Sequence, residues 1–223
     1  MKIGIVIYDG FDELDAIAPL EVLRNATTAG AAIDAKLVAL KPNARVTGSH
    51  GLVVTPEGTL DDGFDWLIVA GGSWAARHDV GAWGEIKRGD LPRALAGRRA
   101  AGVAMASVCT GAMLLSAAGI TRGRNATTHH VALDALANEG ARVVAARVVD
   151  DGDLITAGGV TSGIDLALWF VERHCGGALA ETIAGQMEHT RVGRVWRPDG
   201  AAPRDEGTFI SVPARERRSR VRR

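Results

Sequence analysis

The chain has 223 residues, with 26 Lys and Arg against 26 Asp and Glu, so its formal net charge is zero, and 47% of its residues are hydrophobic. This length suits one large α/β domain with a small appendage. The balanced charge favours neither a nucleic acid nor a membrane surface as partner. Two cysteines 66 residues apart, without a CxxC pair, argue against a disulfide framework and a zinc site.

The N-terminal run MKIGIVIYDG is too short and too polar at its end for a signal peptide, and we interpret it as a first strand. No apolar stretch approaches the roughly 20 residues that are needed to span a bilayer. With so few cysteines, the sequence predicts a cytoplasmic protein without a membrane anchor, in which thiols stay reduced.

Short β-branched runs alternate with helical segments along the chain, a pattern typical of a mainly parallel sheet covered by helices. The sequence predicts strands at 3–7, 35–40, 52–55, 66–70, 102–106 and 126–128, with a hairpin arm at Val46 and an antiparallel pair, 143–149 and 154–156. It predicts helices at 14–29, 83–99, 110–118, 131–138, 162–174 and 179–190.

The composition changes near residue 195, where RPDGAAPRDEG resembles a turn and ARERRSRVRR is basic with few apolar residues. We therefore predict a single α/β domain over residues 1–194 and a basic C-terminal tail over 195–223. The tail is expected to be partly disordered or to wrap around a partner subunit. Arginines without interleaved aromatic residues or a folded binding motif give little support to nucleic-acid binding.

Cys109 lies where a predicted strand meets a predicted helix, in the stretch AMASVCTGAMLLSAAG. Open α/β sheets bind their ligands at this edge, and a helix N-terminus lowers the pKa of a cysteine thiol. Gly111 would let the helix pack closely on a strand. These features predict a nucleophile at Cys109, whereas Cys175, near a helix end, is interpreted as a small buried residue.

A nucleophile needs a neighbouring group that moves protons. The first loop, YDGFDELDAIAPLEV, places Asp15 in the opening turn of a helix among apolar neighbours, where a carboxyl group is either costly or functional. Capping the helix is the alternative role for Asp15. Gly71 and Gly72 follow a middle strand and are expected to present N–H groups to a substrate that develops negative charge.

Four segments extend over most of residues 1–190 and resemble the ThiJ/PfpI superfamily of class I glutamine amidotransferase-like proteins: IVIYDGFDELDAIAPLEVL, DWLIVAGG, ASVCTGAMLLSAAGITRGRNATTHH and DLITAGGVTSGIDLALWFVE. The resemblance implies a flavodoxin-like three-layer sandwich with a mainly parallel central sheet, and a homodimer. It also implies a strained nucleophile elbow that carries Cys109, with Asp15 as the acid beside it.

Thr110 narrows the resemblance to a subgroup. Protease-like and amidase-like members, and many glyoxalase-like ones, carry His after the cysteine or Glu at the acid position, whereas this chain has Thr110 and Asp15. This combination is most similar to the isocyanide hydratases and to the sensor domains of some AraC-type regulators. Those regulators continue into a helix-turn-helix region, for which we expect no room before Arg223.

The resemblance implies hydration of an isocyanide to an N-formamide through a covalent thioimidate, without a metal or an organic cofactor. We expect Thr110 to position the acid or a water, Gly71 and Gly72 to contact the substrate, and Ile164 to form a pocket wall on a helix that packs against the elbow. His129 is expected to be structural. The alternatives are a glyoxalase-like cysteine enzyme acting on another small electrophile, and a ligand- or oxidation-sensing domain without turnover.

Overall fold

Twelve strands and seven helices form the part of the chain that the computed structural model describes, residues 1–42, 45–193 and 195–198. The strands are β1 (Lys2–Val6), β2 (Asp34–Ala39), β3 (Val46–Thr47), β4 (Val53–Val54), β5 (Gly58–Thr59), β6 (Trp66–Val69), β7 (Ala104–Ser107), β8 (Asn125–Ala126), β9 (Arg142–Val143), β10 (Val148–Asp150), β11 (Leu154–Ala157) and β12 (Val195–Trp196). The helices are α1 (Glu13–Thr28), α2 (Ala82–Arg88), α3 (Asp90–Ala100), α4 (Gly111–Ala117), α5 (Leu133–Asn138), α6 (Ser162–Cys175) and α7 (Gly177–Gln186).

Eight of the strands form one sheet in the order β12-β10-β11-β7-β6-β1-β2-β5. All neighbours in it are parallel except β10 and β11, which are antiparallel as predicted. The central strands β1 and β6 are apolar along nearly their whole length and buried, as expected for parallel strands covered on both faces. The predicted α/β fold with a mainly parallel central sheet is therefore confirmed.

Two groups of helices flank this sheet, α1 with α6 and α7, and α2 with α3 and α4. Helix α6 packs against the cysteine elbow as predicted, because a Cβ atom on Gly163 would lie 3.1 Å from Pro19 of α1 and 3.3 Å from Val108. The predicted close approach at Gly111 is also confirmed, because a Cβ atom there would lie 2.1 Å from the carbonyl oxygen of Val69.

Three predicted elements differ from the observed ones. The single helix predicted over 83–99 is two helices, because Gly89 adopts a left-handed conformation (φ 77°) that ends α2 and begins α3. In place of the single strand predicted over 143–149, the structure has two short strands, β9 and β10. They are separate because they belong to different sheets: β9 pairs with β8, and β10 pairs with β11. The last helix ends at Gln186, and Glu188 beyond it has a positive φ of 50°.

The beginning of the predicted tail contributes to the sheet. Strand β12 pairs in parallel with β10 at the sheet edge, and the guanidinium of Arg197 lies 5.9 Å from the ring centre of Trp169. Residues 199–223, and with them most of the tail prediction, lie outside the described residues. No helix within the described part of the chain has the length and apolar character to cross a membrane.

Candidate active site

Cys109 occupies a strained elbow between β7 and α4. Its φ is +56°, in the left-handed region that residues other than glycine rarely adopt, which agrees with the elbow that the family resemblance implies. The Cys109 N–H donates to the carbonyl oxygens of Gly158 (2.8 Å) and Ala157 (3.2 Å), and its own carbonyl oxygen accepts a bond from the Thr128 hydroxyl (2.8 Å). These buried hydrogen bonds hold the unfavourable backbone conformation in place.

Asp15 is fully buried in the first turn of α1 and close to Cys109. Its Oδ2 accepts the Gly71 N–H at 2.9 Å, while no group among the described residues hydrogen-bonds its Oδ1. Burial, and then the charge of Asp12, raise the pKa of Asp15 to about 8, against the opposing effects of Gly71 and Cys109. At neutral pH Asp15 is therefore mostly a carboxylic acid that can donate a proton.

The helix-capping alternative for Asp15 does not hold, because a different residue takes that role. The Asp12 side chain is the N-cap of α1 and accepts the Leu14 N–H at 3.2 Å. Asp15 lies three residues further on, still in the first turn, and its carboxyl points into the protein towards Gly71. A buried acid with so few hydrogen-bond donors lowers stability, and such a cost is typical of functional sites.

Gly71 and Gly72 connect the acid to the elbow. The Gly71 N–H donates to Asp15, and the Gly72 N–H donates to the Thr110 hydroxyl oxygen at 3.0 Å. A Cβ atom on Gly71 would lie 2.5 Å from the Thr110 nitrogen and 2.9 Å from Asp15 Oδ2, so only glycine fits there. The two N–H groups that we expected to meet the substrate thus hold the acid and the threonine of the site.

The environment of the Cys109 thiol differs from the one that the sequence predicts. Burial, and then the charge of Asp15, raise the pKa of Cys109, and the Thr110 N–H and hydroxyl beside the sulfur only partly offset this. Helix α4 has seven residues, so its dipole contributes little. The predicted lowering of the pKa is therefore wrong, and the free site holds a neutral thiol beside a neutral acid.

The first loop also holds the β3–β4 hairpin. Glu13 Oε1 accepts the His50 N–H at 2.7 Å, and Glu13 Oε2 lies 2.6 Å from His50 Nδ1. Burial raises the pKa of Glu13, but His50 and nearby N–H groups outweigh this and lower it, while Glu13 raises the pKa of the exposed His50 ring. In the described chain, Asp12, Glu13 and His50 are grouped closely enough to bind a metal ion, yet both Glu13 oxygens already accept bonds that hold the hairpin.

The other residues singled out from the sequence lie around this centre. Ile164 is half-buried in the first turn of α6, which packs on the elbow, and its contact with substrate stays a prediction. His129 Nδ1 accepts the Val131 N–H at 3.3 Å, a local bond consistent with a structural role. Burial, and then His130, lower the pKa of His129.

The sequence-based prediction did not identify two residues that lie near the site. Thr128 lies in the quoted segment ATTHH, but nothing local indicates that its hydroxyl reaches Cys109. Tyr8 lies two residues after the end of β1 and donates its hydroxyl to the Ala70 carbonyl at 2.8 Å. Tyr8 is the only tyrosine of the chain and the first residue of the acidic first loop. This position was the feature of the sequence from which its proximity to the site could have been predicted.

A model of the DJ-1/PfpI family matches residues 1–173. The chain is similar to an isonitrile hydratase of Pseudomonas putida, with 35% identity over 96% of this chain and 86% of that protein. It is also similar to a deglycase of Thermococcus kodakarensis, with 29% identity over 70% of this chain and 89% of that protein. Among solved structures, a ThiJ/PfpI family protein from Pseudomonas syringae superposes with a TM-score of 0.74 at 28% identity, covering 84% of this chain and 74% of the other.

Proposed function

Because this chain belongs to the DJ-1/PfpI family, we propose that its Cys109 site hydrates isocyanides to N-formamides. One observation carries the proposal: the buried Cys109 thiol lies beside the Asp15 carboxyl group, whose pKa is about 8. Thr110 follows Cys109 in the chain. The terminal carbon of an isocyanide must receive both a proton and a nucleophile. A neutral acid paired with a neutral thiol offers both without a separate base.

The first half of the reaction adds the Cys109 S–H across the isocyanide carbon. Asp15 gives its proton to this carbon, the sulfur forms the C–S bond, and the thiol proton passes to the Asp15 carboxylate. The product is the thioimidate R–N=CH–S–Cys109, and Asp15 is again a carboxylic acid. The raised pKa of the thiol is no obstacle, because the sulfur loses its proton only as Asp15 becomes a base.

The second half adds water to the thioimidate carbon. Asp15 protonates the nitrogen and takes a proton from the attacking water, which leaves R–NH–CH(OH)–S–Cys109. The C–S bond then breaks, the hydroxyl proton passes to the departing sulfur, and the N-formamide R–NH–CHO is released. Thr110, whose hydroxyl lies beside the sulfur, stabilises the charge that develops there, and Ile164 forms part of the substrate pocket.

Product analysis with small aryl and alkyl isocyanides tests this proposal. We expect the wild-type protein to form the N-formamide, and both Cys109→Ala and Asp15→Asn to lose nearly all activity. The second free cysteine supplies a matched control. The interpretation of Cys175 as a buried residue is wrong, because it is exposed where α6 ends and solvent reaches the chain, so Cys175→Ala should keep the wild-type rate. No formamide from any isocyanide of the panel would refute the proposal.

The same proteins distinguish the competing functions. Lactate formed from methylglyoxal and abolished by Cys109→Ala would favour the glyoxalase-like alternative. Stoichiometric oxidation of Cys109 to the sulfinate under mild peroxide, without turnover of any electrophile, would favour the sensing alternative. We further propose that the protein is a cytoplasmic homodimer, which sedimentation equilibrium and cell fractionation test.

A further inference from the structure

We propose that Tyr8 is a positioning residue for Asp15, acting through the single peptide unit that joins Ala70 to Gly71. The phenol fixes the orientation of this peptide and so keeps the Gly71 N–H directed at the carboxyl group. The inference rests on the proposed function only in taking Asp15 as the acid of the site.

The geometry forms one continuous chain of hydrogen bonds. The Tyr8 hydroxyl donates to the Ala70 carbonyl oxygen at 2.8 Å, and the N–H of the same peptide unit, on Gly71, donates to Asp15 Oδ2 at 2.9 Å. In a trans peptide the C=O and N–H point in opposite directions. The phenol and the carboxyl therefore lie at opposite edges of one peptide unit, and rotation of that unit about the chain axis would break both bonds.

Asp15 depends on this peptide more than an ordinary carboxyl group would. Its Oδ1 has no partner among the described residues, and its Oδ2 is bonded to the Gly71 N–H. Ala70, Gly71 and Asp15 are all buried, so water does not substitute for a lost donor. A hydrogen bond to the C=O also polarises the peptide and strengthens donation by its N–H.

Tyr8 is well suited to this role because it stays a neutral donor. It is buried two residues after the end of β1, and burial, followed by the charges of Asp15 and Cys109, raises its pKa well above the usual value. The charged and titratable groups around the pair are Asp12 from the first loop, Cys109 from the elbow and Glu85 from α2, which faces the phenol. Of these groups, the Cys109 thiol also hydrogen-bonds the acid, beside the Gly71 N–H, and both bonds lower the pKa of Asp15.

The test reads the ionisation of Asp15 without any substrate. The infrared band of the protonated carboxyl group, isolated by subtracting the spectrum of Asp15→Asn, is titrated with pH. We expect a wild-type midpoint near pH 8, the pKa of about 8 that burial imposes on Asp15. In Tyr8→Phe, which fills nearly the same volume, the midpoint should rise by roughly 0.7 pH unit, since a neutral hydrogen bond contributes about 1 kcal/mol.

A second modification changes the donor without removing it. Since Tyr8 is the only tyrosine, biosynthetic incorporation of 3-fluorotyrosine alters this position alone and makes its hydroxyl a stronger donor. The midpoint should then fall below the wild-type value. This arm also tests the proposal if Tyr8→Phe does not fold.

Thr27→Val provides the control. The Thr27 hydroxyl donates to the Ile33 carbonyl at the opposite end of α1, so its loss should leave the Asp15 midpoint unchanged. Equal midpoints in wild type, Tyr8→Phe and the fluorotyrosine protein would overturn the inference, even if Tyr8→Phe lowered the melting temperature. A shifted midpoint in a protein inactive on isocyanides would support the inference while refuting the proposed function.

Discussion

Replacing Asp15 by Asn should abolish a pH dependence of stability that this one carboxyl group imposes. Its pKa is raised from 3.8 to about 8 in the folded protein by burial and by the charge of Asp12. Between these pH values the folded state binds a proton that the unfolded state has released. The contribution of Asp15 to the free energy of unfolding is thus complete below about pH 4 and is lost as the pH rises through about 8.

The magnitude follows from the size of the shift. Each pKa unit corresponds to about 1.4 kcal/mol, so a shift of this size lowers the wild-type free energy of unfolding by up to about 5 kcal/mol between pH 4 and pH 8. Asn is nearly isosteric, carries no charge, and retains an oxygen that can accept the Gly71 N–H. The variant should therefore match the wild type near pH 4, and its advantage in stability should grow by about 4 kcal/mol between pH 5 and pH 9.

Urea denaturation at intervals from pH 5 to pH 9 measures this difference directly. Asp61→Asn is the control, because Asp61 is exposed and its carboxyl group takes part in a surface ion pair with Arg98, so its curve should run parallel to that of the wild type. If the Asp15→Asn and wild-type curves are parallel too, the carboxyl group has an ordinary pKa, and the acid role derived from its burial is wrong.

Three further variants test the surroundings of the pair. Gly71→Ala should abolish the proposed hydratase activity in a folded protein, as checked by circular dichroism, because the added Cβ would lie 2.9 Å from Asp15 Oδ2; retained activity would contradict this. Thr110→Val should lower kcat by roughly 10- to 100-fold, since it removes the hydroxyl beside the sulfur, and Thr110→Ser should restore most of the rate; equal rates for both variants would argue against a role of the hydroxyl. Thr128→Val removes the bond to the Cys109 carbonyl and should lower the free energy of unfolding by about 1 kcal/mol in urea titrations, whereas an unchanged midpoint would mean that the elbow does not need this bond.

The fold was predictable because its signals are local. Apolar strands such as β1 and β6 alternate with helices along the chain, and this alternation predicts a parallel sheet whose carboxyl ends gather the functional residues. The positions of Cys109 after β7 and of Asp15 in the first turn of α1 follow from the same pattern. Gly111 was also predictable, because tight strand-to-helix turns require a small residue there.

The prediction of a single helix over 83–99 failed because the conformation of one glycine outweighed the helical pattern of the residues around it. The segment has continuous helical character, but Gly89 lies within it and adopts the left-handed conformation that ends one helix and begins the next. Glycine permits this conformation without requiring it. Only packing against the rest of the fold decides which of the two possibilities is realised.

The chemistry of the site depended on residues far apart in the chain. The sequence by itself determined the fold class and the position of Cys109 between a strand and a helix, because both rest on neighbouring residues, while the family resemblance implied the pairing of Cys109 with Asp15. The tertiary structure decided the protonation of that pair, since burial raises the pKa values of both Cys109 and Asp15, and the nearby charges of Asp15 and Asp12 respectively add to this. It also decided that Tyr8 and Asp15 meet on opposite sides of the Gly71 peptide, more than 50 residues away along the chain. Electrostatic and hydrogen-bond energies depend on distance in space, and the linear pattern of residues does not contain that distance.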